Sequence, residues 1–205
     1  MAYNNFTLSK VKKDFELTVD ETQNLFSEVE AIAPSDFLKQ SLDYYLPLAT
    51  AINTEKARSE FIIAPILGEV RRQAHNRVSL FSGSEFNVDQ TKGLSGYCDF
   101  ILSASQEQIE ITAPVFTIIE AKKENLTGGV GQCIAAMVAA QIFNERAGNE
   151  FEMIYGAVTS GTNWRFITLK RNNVFIDSIE YYINQVEKLL GILMQPMQVI
   201  LGKRI

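Results

Sequence analysis

The chain has 205 residues, 46% hydrophobic and 21% charged, which suits one globular domain with a sizeable core. Its single histidine excludes a His-rich zinc site and leaves a Ser-His-Asp triad little to work with. A formal net charge of -5 runs against nucleic-acid binding, which usually relies on a basic surface, although net charge does not describe one cleft.

No low-complexity tract, repeat or linker divides the sequence, so a single domain is expected over residues 1–205. No apolar run reads as long enough to span a bilayer, and Met1-Ala2-Tyr3-Asn4-Asn5 lacks the features of a signal peptide. The expectation is a cytoplasmic protein without membrane association. Cys98 and Cys133 lack metal-type spacing and read as buried small residues.

Residues 4–15 have the mixed pattern of an extended arm. Thr18 or Asp20 can cap a helix over Glu21–Glu30, with Leu25, Phe26 and Val29 at helical spacing. Pro34-Ser35-Asp36 breaks it, and a second helix runs through Gln40, Leu42, Tyr45 and Leu46. Residues 1–53 thus form a helical extension without a chemical constellation.

Asn53 or Thr54 caps the next helix, which covers Glu55–Ile63 and continues past Pro65 to Arg72. Proline in a helix interior costs about 3 kcal/mol, so a kink or fresh start is expected at Pro65. Glu60 shares a face with Ile63, Ala64 and Leu67, a carboxylate on an apolar stripe. Lys56, Arg58, Arg71, Arg72 and Arg77, with His75, form either a basic patch or the solvated face of a helix.

Val78–Val88 reads as a first strand, with a bulge or turn at Phe81-Ser82-Gly83-Ser84, and Asp89–Gly93 as a turn. Gly96–Leu102 is a second strand carrying Asp99. Phe116-Thr117-Ile118-Ile119-Glu120-Ala121-Lys122 is a third, buried on both faces. Side chains alternate across a strand, so Glu120 and Lys122 leave from one face. A hairpin centred near Ile109 and Glu110 places Asp99 opposite Glu120. Like charges so opposed are destabilising unless something offsets them, and a hard divalent cation would do so.

Beyond Lys123, a Gly-rich loop leads into an alanine-rich helix, Gln132–Phe143, without the Gly-Lys-Ser/Thr ending of a phosphate-binding loop. Phe151–Thr159 and Trp164–Leu169 read as a hairpin around Ser160-Gly161-Thr162-Asn163, followed by Val174-Phe175-Ile176. Trp164 reads as core. Ser178 caps a last helix whose stripe of Ile179, Tyr182, Ile183, Val186, Leu189, Leu190 and Leu193 closes the fold or makes a homodimer contact.

Asp99, the strand Ile118-Ile119-Glu120-Ala121-Lys122 after a hairpin, and the helix bearing Gln132 resemble the motif of the PD-(D/E)XK nuclease superfamily. The resemblance covers roughly residues 54–169, and Cys98 stands where that pattern usually has proline. It implies an α/β fold with a restriction-endonuclease-like core at 54–177: a central mixed β-sheet flanked by helices, with extra N-terminal helices at 1–53 and a C-terminal helix at 178–205. It also implies a metal-dependent phosphodiester hydrolase acting on DNA. Asp99, Glu120 and the main-chain carbonyl of Ala121 would bind Mg2+ or Mn2+, and Glu60 would join them from the preceding helix. Lys122 would orient or deprotonate the attacking water, and Gln132 would hold water or the scissile phosphate. Arg58, Arg71, Arg72 and Lys123 are the expected DNA contacts.

Other readings stay open. Glu60 pairs with Arg58 or another base at the rim, and Gln132 is a helix-terminal amide bonded to the backbone. The fold is a catalytically inactive nuclease-like module that binds nucleic acid or protein, or an unrelated α/β domain with Glu120 and Lys122 as a surface ion pair.

Overall fold

A computed structural model describes residues 2–149 and 152–200, main chain alone for 199 and 200. In chain order it contains α1 (Leu8–Asp14), β1 (Thr18–Asp20), α2 (Asp36–Ile52), α3 (Glu55–Arg58), a π-turn (Ser59–Ile63), α4 (Ala64–Gln73), β2 (Ser79–Glu85), β3 (Tyr97–Ser103) and β4 (Val115–Ala121). Next come α5 (Leu126–Arg146), β5 (Ile154–Thr159), β6 (Asn163–Lys170), β7 (Asn173–Ile176), β8 (Tyr181–Tyr182) and α6 (Val186–Ile200). The strands form one eight-stranded mixed sheet in the order β1-β7-β6-β5-β4-β3-β2, with β8 on β6.

The middle of the sheet sets the fold. β2, β3 and β4 make an antiparallel meander, after which the chain crosses through α5 and returns as β5, parallel to β4. A parallel neighbour needs such a crossover, and α5 supplies it. Every residue of β4 is buried, because β4 has strands on both edges and a hydrophobic layer on each face. One layer is built from α5 and the N-terminal segment, with Ile118, Ile134, Val130 and Val158 at its centre. The other is built from α2, α4 and α6 against Phe100, Ile119, Trp164 and Phe166. Each large aliphatic side chain removed from water contributes about 1.5–3 kcal/mol, so these layers dominate the stability.

Local sequence explains most of the boundaries. Ser35 and Thr54 cap α2 and α3 through their hydroxyls, which accept from the Leu38 and Ala57 amides. α2 stops at Asn53, which adopts the left-handed conformation that asparagine tolerates. The interruption expected at Pro65 takes the form of the π-turn: the Ala64 amide reaches back to the Ser59 carbonyl, and Pro65, which has no N–H to offer, opens α4.

Several expectations are corrected. Residues 4–15 are not an extended arm: Thr7 caps α1, and its hydroxyl accepts from the Lys10 amide. Glu21–Glu30 is not a helix. The Asp20 carboxylate takes the Thr22 amide and hydroxyl, an Asx-type turn, while Thr18–Asp20 pairs with β7. The last helix starts at Val186 and not after Ser178, because Tyr181 and Tyr182 pair with Trp164 and Asn163, and Tyr181 packs on Phe166. Leu189, Leu190 and Leu193 are buried within the chain, so that stripe closes the fold. Phe151 of the expected 151–159 strand, and residues 201–205 of the expected last helix, lie outside the described residues. Gly83 marks no change of pairing register, since Ser82 and Ser84 face Phe100 and Cys98 in one continuous ladder.

α5 begins at Leu126, so the glycine-rich stretch is helix and not loop. By length and hydropathy it is apolar enough to cross a bilayer, contrary to the sequence expectation, and 67% of its most apolar window is buried inside the protein. Its alanines and glycines let it lie close to the sheet. A Cβ added to Gly156 beneath it would stand 2.4 Å from Met137 Sδ.

Candidate active site

The ladder between β3 and β4 pairs Leu102 with Thr117, Ile101 with Ile118 and Phe100 with Ile119, and one further step in that register sets Asp99 across from Glu120. There the side chain takes over from the main chain: Asp99 Oδ2 accepts from the Ala121 amide at 2.7 Å. Glu120 is 3% exposed, and its Oε1 receives Lys122 Nζ at 2.5 Å. The same amine lies 3.4 Å from Gln132 Oε1 on the second turn of α5. The main chain of Lys122 is held by β5, its amide donating to the Thr159 carbonyl at 2.8 Å. The sequence-derived set of Asp99, Glu120, Lys122 and Gln132 therefore meets at one end of the sheet.

The site opens on a cavity of about 310 Å3 lined by Asp99, Ala121, Ser82, Gly83 and, from α3 and the π-turn, Glu55, Lys56, Ser59 and Glu60. A larger hollow of about 570 Å3, between residues 25–32 and the glutamines of α6, shares no residue with this one and brings no acid and base together. Chemistry and not size selects the smaller cavity.

Burial, and then the charge of Asp99, push the Glu120 carboxyl up to about 8 against the pull of Lys122. Burial works to lower the Lys122 pKa, but the charges of Glu120, Glu55 and Asp99 outweigh it and leave it raised. Glu55 thus acts on both partners. Glu60, the carboxylate expected in the site, lines the same cavity but is half exposed and pairs with Lys56 at 3.4 Å. No group of three or more His, Cys, Asp or Glu side chains is gathered as a metal cluster among the described residues. What is gathered is a pair of carboxylates that repel each other, Asp99 at the cavity wall and Glu120 buried, and carboxylate oxygens are the hard donors that Mg2+ or Mn2+ takes.

The expected DNA-contacting side chains fare differently. Arg58 is 8% exposed, and its guanidinium donates to Ser160 O, Thr162 Oγ1 and Asn53 Oδ1, which makes it an internal tie and corrects its reading as a phosphate contact. Arg72 is engaged by Glu69 through two nitrogens, and Arg71 Nη1 donates to Asn76 Oδ1. Lys123 is exposed beside the site. Sequence reasoning gave little weight to Glu55 and did not use Thr159 or Gly129. Gly129 read as loop in the sequence because α5 was expected to start only at Gln132.

The chain matches no family model, no curated protein and no solved structure.

Proposed function

We propose that the chain is a metal-dependent phosphodiester hydrolase acting on DNA, with a restriction-endonuclease-like core over residues 54–177, formed by α3 to β7. The observation that carries this reading is the meeting of Asp99, Glu120 and Lys122 at one end of the sheet, with Asp99 lining a cavity and locked to Ala121 and the lysine amine held between Glu120 and Gln132. The order helix, antiparallel meander, crossover helix and parallel strand also supports it. A cytoplasmic location is part of the same proposal.

Asp99, Glu120 and the Ala121 carbonyl would hold Mg2+ or Mn2+, with Glu55 or Glu60 adding negative charge from the facing helix. When bound, the ion supplies positive charge to the scissile phosphate and lowers the pKa of water. Lys122 Nζ, kept as an ammonium by the acids around it, orients the attacking water and offsets charge that builds on the phosphoryl oxygens. Gln132 Oε1 and Glu120 Oε1 fix where that amine stands. Lys56 and Lys123 are the exposed cations nearest in sequence to these groups and are suited to backbone phosphates.

The test is incubation of purified protein with plasmid and linear DNA in Mg2+, Mn2+ or EDTA, beside Lys122→Ala. Metal-dependent cleavage that the variant lacks is expected; cleavage unchanged in the variant would refute the assignment.

A second reading, a catalytically inactive module of the same architecture, is favoured by the net charge of -5, by the engagement of Arg58 inside the protein and by the pairing of Arg72 with Glu69. It predicts binding without cleavage in every metal.

A further inference from the structure

We propose that Gly129 is a positioning residue for Lys122. By leaving its Cβ position empty, it lets α5 lie on the lysine stem and hold the amine between Glu120 and Gln132. The consequence for catalysis rests on the hydrolase reading; the positioning itself does not.

The geometry is steric. A Cβ at Gly129 would stand 2.7 Å from Val158 Cγ1, 3.0 Å from Lys122 Cε and 3.1 Å from Lys122 Cγ. Carbon atoms in contact settle near 3.5–4.0 Å, so both neighbours would have to give way. Val158 is 0% exposed in the packed layer under α5 and has little room. The lysine stem is flexible, and it yields.

Lys122 is otherwise pinned. Its amide is bonded to Thr159, so the side chain is the part that moves, and a push from α5 drives it away from that helix and from Gln132. The neighbouring glycines answer to other needs. A Cβ at Gly128 would meet only the capping amide of Asn125, at 3.2 Å, and one at Gly131 would meet the Thr7 main chain at 2.4 Å. Of these three, Gly129 alone has the lysine among the nearest atoms its Cβ would meet.

The experiment is reductive methylation at neutral pH without metal or DNA, with the rate at Lys122 read by peptide mass mapping against exposed Lys12. It compares wild type, Gly129→Ala, Gly129→Ala/Val158→Ala and Val130→Ala. The double variant removes the 2.7 Å clash and keeps those with the lysine, so it serves where the single variant does not fold. Val130→Ala loosens α5 without touching Lys122 and controls for general destabilisation. Several-fold faster labelling of Lys122 in the folded glycine variants, with the wild-type rate in Val130→Ala, is expected. An unchanged rate in a folded glycine variant overturns the proposal, as does loss of folding in the double variant, which would mean that the core and not the lysine requires glycine. Absence of DNA cleavage by wild type would count against the hydrolase reading alone. Where cleavage is present, Gly129→Ala lowers kcat with KM little changed, since a displaced group loses rate more than binding.

Discussion

The Ala121 amide donates to Asp99 Oδ2 at 2.7 Å, so the acid at the end of β3 is fixed by the main chain of β4 and not by a side-chain partner. Ala121 is 2% exposed, and its N–H has no water to fall back on. Asp99→Asn keeps an acceptor there and removes the charge, whereas Asp99→Ala leaves the amide unpaired. In urea titrations the alanine variant should lose about 1–3 kcal/mol and the asparagine variant distinctly less. Equal losses would show that the bond contributes nothing.

The carboxylate pair should take up a divalent cation in the folded state alone. Mn2+ at about 100 times its Kd should then stabilise wild type by roughly 2.7 kcal/mol, with EDTA reversing the gain. Asp99→Asn and Glu120→Gln should abolish the response. Glu55→Gln should weaken it more than Glu60→Gln, because the Glu55 charge reaches Glu120 and Lys122 while Glu60 is paired with Lys56. A melting temperature indifferent to Mn2+ in wild type would remove the metal from the proposal.

Glu69 joins α2 to α4. Buried at 3% exposure, it accepts from Arg72, from the Ser35 amide and hydroxyl, and from Gln73. The bond from Arg72, outweighing burial, holds its carboxyl down at about 2. The folded value lies below the unfolded one, so this stabilisation is complete above about pH 4.5 and disappears as pH falls toward 2. Glu69→Gln should therefore lower stability at pH 7 and flatten its decline between pH 5 and 3, as followed by thermal melts. A parallel decline in both proteins would assign the acid sensitivity elsewhere.

Arg58 bonds the end of α2 to the turn between β5 and β6, through Asn53 on one side and Ser160 and Thr162 on the other. Removing it strands buried acceptors, and Arg58→Ala should cost about 2–4 kcal/mol. Lysine lacks the planar fork and should restore little of this. Ser160 follows Thr159, which anchors the Lys122 main chain, so any DNA cleavage should fall along with stability. A variant with wild-type melting and weakened DNA binding would return Arg58 to the surface role expected of it from sequence.

Much of the site was legible in the chain because it depends on period-two geometry. Alternation put Glu120 and Lys122 on one face, and the apolar run from Phe116 to Ile119 marked a strand with cover on both sides. The pairing of Asp99 with Glu120 followed from one choice of hairpin register, and the observed ladder has that register. Local chemistry likewise offered Asn53 or Thr54 as the cap of the next helix, and Thr54 takes that place.

What tertiary structure decided is where a local preference had a competitor. Thr18–Asp20 became an edge strand because β7 offered it a ladder, and Tyr181–Tyr182 left a helical pattern for β6. A stripe counted at 3.6 residues per turn runs into the π-turn at Ser59–Ile63, where that period does not hold, and it singled out Glu60 but not Glu55, although both line the cavity. Arg58 looked like a surface cation until the β5–β6 turn closed over it. The sequence by itself determined the strand that carries the chemistry and the acids and amine at its end, since alternation and burial act over a few residues. The fate of each charge, whether exposed, paired or pressed under a helix, was decided by contacts between segments far apart in the chain, as between Arg58 and Ser160, which only the folded chain brings together.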